Sequence, residues 1–462
     1  MLWIDSAGPF AAPVAVAVAL VVLMPAVLAI LGRFDEVGVV VAVLGSAAVT
    51  ALAGLSAVLF ETTTRPWFWA WVGIAYAVAA FRVVRTGLPE RPKFANWKVP
   101  AGILAGLAPA SLYLYSAPVA WDARSVWFFH ASWFTDPSVV YSQWSSVYTF
   151  SQVDYPPLVA TWGAFSWLFG DSRSDWIPQM ATGVLTLAAL ALVALLLSSE
   201  ARSFRLQIIA GFGSATLLLA AVRGNGFDGY ADGLAAALVA AIVLMAFLDT
   251  NPVLVGTVAL TLALAKNEGL LFIVAVVLPL YLLRRRNIIP LLPGLAAGVA
   301  WMVVIRQAGA PGAAWHFENA LPGSDAFIDR IRLILGSMWG PHHHTFKFAA
   351  AAWLGVAVIV LLTRGLKRLR PVVIGTGVAA LLVVGLEVGI YLATPFPLEW
   401  HLSTSVGRLL MHPTMLFVAG ATAGMVGFLG QATPGAADTV NDRIGPVGPS
   451  ENTPEPVSAI LM

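Results

Sequence analysis

The chain has 462 residues, of which 59% are hydrophobic and only 11% charged, with a formal net charge of +2. Soluble proteins carry roughly 25% charged residues, so this composition excludes a soluble globular fold. Cysteine is absent, which excludes disulfides and thiolate metal sites. The small net charge leaves no electrostatic footprint for nucleic acid.

The apolar residues fall in runs near the ~20 that span a bilayer. They predict an all-α polytopic membrane protein with about thirteen transmembrane helices. In chain order the expected spans are Pro9–Gly32, Gly38–Phe60, Trp67–Phe81, Ala101–Ala117, Met180–Ser198, Leu206–Val222 and Gly233–Leu248, followed by Val253–Ala265, Gly269–Leu283, Ile288–Ile305, Phe348–Thr363, Val372–Ala393 and Pro413–Gly430. The first run lacks a basic flank and reads as a retained helix, not a cleaved signal. The chain thus divides into N-terminal helices (1–117), a long outer loop (118–179) and a helical core (180–430) with two more outer loops (306–347 and 394–412). The tail, 431–462, is rich in Pro, Gly, Asn and Asp and is expected to be disordered on the inner side. No internal repeat is visible.

The first long loop reads WDARSVWFFHASWFTDPSVVYSQWSSVYTFSQVDYPPL from Trp121 to Leu158. It mixes Asp122, Arg124, Asp136 and Asp154 with Trp, Tyr and Phe, the composition of an interfacial platform. Trp127, Phe128 and Trp133 are expected to face the headgroups. The following segment, Pro157–Gly170, is short for a span and carries Trp162 and Trp167. It predicts an amphipathic helix lying along the outer surface.

Basic residues set orientation. With the Trp121 loop outside, most of the 26 Lys and Arg fall inside, around Arg82–Lys98, Arg202, Arg205, Arg284–Arg286 and Arg364–Arg370. Most of the 24 Asp and Glu fall outside.

Charge at membrane depth costs roughly 2.5–3.5 kcal/mol on insertion scales, so it lines a cavity or meets a partner. Asp122, Asp154, Asp228, Asp232, Lys266, Glu268 and Arg408 all lie at helix ends on the outer face in this topology. Asp122 suits a general base near lipid headgroups, or a helix N-cap. Asp154 precedes Tyr155-Pro156-Pro157, which would hold a carboxylate rigidly, or would simply start a helix. Asp228 and Asp232 are four apart and share a face if a helix begins by Asp228; the alternative is a turn with Asp232 as cap. Lys266-Asn267-Glu268-Gly269 interrupts nearly continuous apolar sequence. Lys266 suits a phosphate, or pairs with Glu268. Arg408 suits bidentate phosphate binding or an interfacial anchor, and His401 lies in the same returning loop. The run His342–His344 reads as solvated loop, because consecutive histidines diverge on a helix. Glu387, inside a span, reads either as a functional group or as one half of a pair with a cation not identified by the sequence.

A long outer loop opening on an acid, then surface helices, then a carboxylate just before Pro156-Pro157-Leu158, resembles the GT-C-fold glycosyltransferases. The closest likeness is to protein O-mannosyltransferases and the aminoarabinose transferases of lipid A, and it covers about Pro118 to Leu283. Lys266-Asn267-Glu268-Gly269 also looks like a motif of bacterial members. The chain departs from the family in having four helices ahead of the loop instead of one. Asp122-Ala123 also stands for an acidic doublet, and Tyr155 for a basic residue. The resemblance implies transfer of a sugar from a polyprenyl-phosphate donor to a lipid or lipid-linked glycan acceptor, outside a multi-pass inner membrane. It implies Asp122 and Asp154 as catalytic carboxylates, and Arg124, Lys266 and Arg408 at the donor phosphate. Substrate contacts would come from Tyr155, Asp228, Asp232, Glu268 and His401. The donor departs as a phosphate monoester, so no metal and no cofactor are expected. The rivals are a transporter or flippase of a lipid-linked substrate and a ligase using a diphosphate-lipid glycan.

Overall fold

The computed structural model describes residues 11–87, 97–115, 120–145, 151–170, 174–222, 226–248, 250–310, 316–320 and 327–431. Trp315 and the tail beyond residue 431 lie outside these. The described residues are all helical or irregular, with no strand among them.

Three helices open the chain: α1 (Ala11–Leu31), α2 (Glu36–Leu59) and α3 (Thr64–Thr86). The short α4 (Lys98–Leu107) and α5 (Ala110–Leu114) follow. The first long loop holds α6 (Phe129–Thr135), α7 (Tyr141–Ser145) and α8 (Leu158–Trp167). The core comprises α9 (Trp176–Ser198), α10 (Phe204–Val222), α11 (Asp232–Phe247) and α12 (Pro252–Ala265), then α13 (Asn267–Phe272) and α14 (Leu278–Leu283). The last six are α15 (Leu292–Gln307), α16 (Phe327–Met338), α17 (His344–Leu362), α18 (Arg370–Leu392), α19 (Leu398–Leu409) and α20 (Met411–Gln431).

Among the described residues, nine helices are long and apolar enough to cross a membrane. Four shorter apolar helices coincide with the expected spans near residues 101–117, 233–248, 253–265 and 269–283. This is a polytopic membrane protein. Its periphery is apolar: Val84 is 85% and Leu362 78% exposed, which only lipid tolerates over whole helix faces. Inside, α11 is buried from Asp232 through Ala246, and α9 is buried along most of its length. A helix apolar on all sides belongs in the middle of a bundle.

Two expectations fail. First, α8 is not an outer-surface helix: every residue from Leu158 to Trp167 is buried. Its side chains are apolar all round with no charged stripe, so protein, not the lipid–water boundary, covers it. Trp162 Nε1 donates to the Ala181 carbonyl at 3.1 Å and Trp167 Nε1 to the Ser174 carbonyl at 2.9 Å. Second, Trp127, Phe128 and Trp133 do not face headgroups, since they are only 2%, 3% and 9% exposed. Of the two readings of Asp228 and Asp232, the structure takes the turn: α11 begins at Asp232, with Ala231 at its N-cap, and Asp228 sits in the preceding turn.

The Lys266 interruption has a local cause. Lys266 is extended, with φ −158 and ψ 155, so α12 ends on it and α13 starts after it. A cation at a helix C-terminus and an acid (Glu268) in the next first turn both suit the helix dipoles. Gly269 permits the fold-back: a Cβ there would lie 2.0 Å from the Leu262 carbonyl oxygen. Gly269→Ala must therefore move backbone, and overpacking of this kind costs about 1–3 kcal/mol. It should lower the thermal unfolding midpoint in detergent. Gly355→Ala, with open space around it, should leave the midpoint unchanged or higher.

Candidate functional site

Asp232 is the centre of the polar cluster. Its carboxylate is 3% exposed; Oδ1 lies 2.7 Å from Lys266 Nζ and Oδ2 lies 3.7 Å from Arg408 Nη1. Lys266 Nζ also meets Glu268 Oε1 at 3.0 Å. Arg408 Nη1 reaches Asp122 Oδ2 at 2.8 Å across 286 residues of sequence. The result is an unbroken chain of alternating charge, Asp122–Arg408–Asp232–Lys266–Glu268. It joins the outer loop, α11, the α12–α13 break and α19.

Each partner is positioned by backbone. Asp122 leads into a π-helical turn, Ala123–Phe128, a form of helix that is frequent at functional sites. Gly229, at φ +93, packs onto that turn: a Cβ there would sit 2.5 Å from Phe128 Cζ and 2.8 Å from Ala123 Cβ. Only glycine fits both the left-handed backbone and the close approach. The Arg408 guanidinium stacks over the Tyr230 ring, 4.4 Å from its centroid.

Asp154 joins the cluster through Asn267, whose Nδ2 donates to Asp154 Oδ2 at 2.9 Å. Its backbone is pinned from two sides. Trp301 Nε1, on α15, donates to the Asp154 carbonyl at 2.9 Å, and the Tyr141 hydroxyl donates to the Val153 carbonyl. Tyr155 stacks on Trp127 with centroids 5.1 Å apart. Burial pushes the Asp154 carboxyl up from the usual range, against the hydrogen bonds that favour its charged form. Burial likewise pushes Asp228 up to about 7, and the nearby Asp232 charge adds to it.

Of the residues expected at the site, Asp122, Asp154, Asp232, Lys266, Glu268 and Arg408 form this network. Tyr155 and Asp228 border it. Arg124 turns elsewhere, its Nε lying 3.1 Å from Asp175 Oδ2. His401 Nδ1 pairs with Thr394 Oγ1 at 2.7 Å. Asn267, Tyr230 and Trp301 were not singled out in the sequence. Asn267 lay inside the quoted interruption, and Trp301 was a lone tryptophan within a span. No group of three or more His, Asp or Glu among the described residues could hold a metal.

Two atoms of the network, Arg408 Nε and Glu268 Oε2, are buried with no protein partner. Asp122 Oδ1 has no partner among the described residues either. A buried polar atom left unpaired costs about 1–3 kcal/mol, so Arg408 Nε and Glu268 Oε2 are the positions where a polar substrate group gains most, while Asp122, with its side chain 34% exposed, stays open to solvent.

A second buried pair lies in the bundle. Glu387, on α18, meets His412, on α20: Oε1 is 3.1 Å from Nδ1, and both side chains are essentially unexposed. His412 Nδ1 also faces the Leu409 carbonyl at 2.9 Å. Both neighbours are acceptors, so this nitrogen carries the proton. Of the two readings of Glu387, the structure supplies a pairing partner, His412.

Compared with family models, curated proteins and solved structures, the chain matches none.

Removing one member of a buried pair strands the other, at about 3–5 kcal/mol, whereas replacing both with apolar residues is often neutral. Glu387→Leu alone should lower the unfolding midpoint. The double variant Glu387→Leu/His412→Leu should recover most of the loss, measured by thermal unfolding of the purified protein.

Proposed function

We propose that the protein is a GT-C-type membrane glycosyltransferase. On this reading it moves a sugar from a polyprenyl-phosphate donor to a lipid or lipid-linked glycan acceptor on the extracytoplasmic face of the inner membrane. The nine long helices and four shorter ones would then supply the thirteen crossings read from the sequence. The observation that carries the reading is the meeting of Asp122 with Arg408, Asp232, Lys266 and Glu268. Separated segments thereby bring carboxylates and cations together at one end of the bundle.

The roles follow from what each group still has free. Asp122 presents Oδ1 and is the general base. It takes the proton of the acceptor hydroxyl as that oxygen bonds to the anomeric carbon. The bond from that carbon to the phosphate oxygen breaks, and polyprenyl phosphate leaves with the electron pair. Arg408, with Nε unspent, receives the charge developing on the phosphate. Lys266 has two carboxylates within 3.0 Å, so it acts as a positioning residue that fixes Asp232 and Glu268. Asp154, held by Asn267 and Trp301, orients the acceptor. Arg124, paired with Asp175 at 3.1 Å, would reach the donor only by leaving that partner.

One observation favours the transporter reading. The Glu387–His412 pair is buried within the bundle, where a transporter would keep an ionisable group. The two readings part on Asp122. Asp122→Asn keeps the side chain's shape and removes the base. Sugar transfer from a defined polyprenyl-phosphate donor in proteoliposomes should fall about 10²–10⁴-fold, the usual worth of acid–base catalysis. Full transfer by a folded variant removes Asp122 as base. Labelled lipid moving between leaflets without transfer points to transport. The chain has no cysteine, so single Trp121→Cys and Arg285→Cys variants report the face directly. An impermeant maleimide should label only the first from outside the cell.

A further inference from the structure

The far end of the bundle holds a different kind of site. Both α11 and α14 run away from the Asp232–Lys266 cluster and end at Phe247 and Leu283. Arg370 begins α18, which returns toward it. Between these ends is a crevice of about 340 Å³. Phe247, Leu280, Ile374 and Val378 form its wall, and Arg284 and Arg370 line it at the helix ends. Gly375 makes room for the wall, since a Cβ there would sit 1.9 Å from Phe247 Cζ.

We infer that this crevice binds an anionic membrane phospholipid, one acyl chain against the apolar wall and the phosphate between Arg284 and Arg370. The arginines retain donors for it. Arg284 lies over the Phe247 ring, 5.4 Å from the centroid, and has no hydrogen bond or ion pair among the described residues. Arg370 spends Nη2 and Nε on the Leu361 and Val360 carbonyls at 2.7 and 3.3 Å, which leaves Nη1. Those two bonds aim the guanidinium while they cap α17. No carboxylate lines the crevice, so nothing in it competes for the arginines. Arg285, Arg364 and Lys367 add positive charge at the same end. Basic pockets between helices at this level attract lipid phosphates, at about 1 kcal/mol per Lys or Arg. A free phosphate would leave the apolar wall unused. A choline headgroup would bring a cation against two others. The site is independent of the chemistry proposed for the Asp122 end.

The test is native mass spectrometry of the full chain carrying either phosphatidylglycerol or phosphatidylcholine, with matched acyl chains. The parent protein should retain phosphatidylglycerol more than about tenfold better, as two arginines predict. Arg284→Gln, at an exposed residue that leaves the fold intact, should lose about fivefold of that retention. Val378→Trp fills the crevice with both arginines in place and should also lower it. Equal retention of the two lipids by the parent overturns the site, as does unchanged retention in Arg284→Gln or in folded Val378→Trp. Competition by millimolar glycerophosphate as strong as that by the lipid overturns the acyl-chain seat.

Discussion

Asp232 is a carboxylate shut inside a helical bundle, and that one burial explains the rest of the polar architecture. An isolated charge in such a place costs far more than the fold can spare. Two cations offset it, and each brings its own segment along. Lys266 arrives only because α12 stops on it in extended conformation. Arg408 arrives only because α19 packs beside the start of α11 and ends next to Asp232. Once both are present they carry surplus valence, and Glu268 and Asp122 take it up. The outer loop is thus fastened to the core by a carboxylate that never touches it.

The same rods join the two ends of the molecule. Helix α11 begins at Asp232 and ends at Phe247, so one buried, unbroken helix has the charged cluster at its start and the arginine-lined crevice at its finish. Helix α18 begins at Arg370, carries Glu387 along its length and ends at Leu392. There the Leu392 and Tyr391 carbonyls accept from Arg330 Nη2 of α16, both at 3.0 Å. A guanidinium satisfying the last carbonyls of a helix also meets the negative end of its dipole. Basic side chains therefore cap helix ends at both levels of the bundle, and acidic ones gather at one.

The membrane class and the positions of the nine long apolar helices were legible because hydropathy is a one-dimensional signal. The charged cluster was legible because each member interrupts an apolar pattern: Lys266 and Glu268 split a run, and Asp122 follows one. What sequence could not carry was which surface covers an apolar segment. The tryptophans of α8 and of the Trp127–Trp133 stretch look identical whether headgroups or protein surround them. Here the distinguishing sign was the lack of any charged residue from Leu158 to Trp167, where an interfacial helix needs a wet face. Partners remote in sequence were also invisible. Glu387 advertised the need for a partner but not that His412 would be it, and nothing local marks Trp301 as the donor to the Asp154 backbone.

Charge balance constrains how the proposed chemistry must run. The alternating chain begins and ends on carboxylates, so Asp122, Asp232 and Glu268 outnumber Lys266 and Arg408. If Asp154 and Asp228 were also ionised, an anionic donor would meet strong repulsion. Burial holds both of them toward the neutral form, which keeps the surplus small. The donor phosphate must still compete with Asp122 for Arg408, which keeps a buried Nε unspent where Lys266 is taken up by two carboxylates. On the proposed reading that competition is productive. As the phosphate draws the guanidinium toward itself, Asp122 Oδ2 loses its hydrogen bond from Arg408 Nη1 and is released toward the acceptor hydroxyl. Both carboxylate oxygens would then face the acceptor only when the donor is in place, coupling proton removal to the presence of a leaving group through a single arginine.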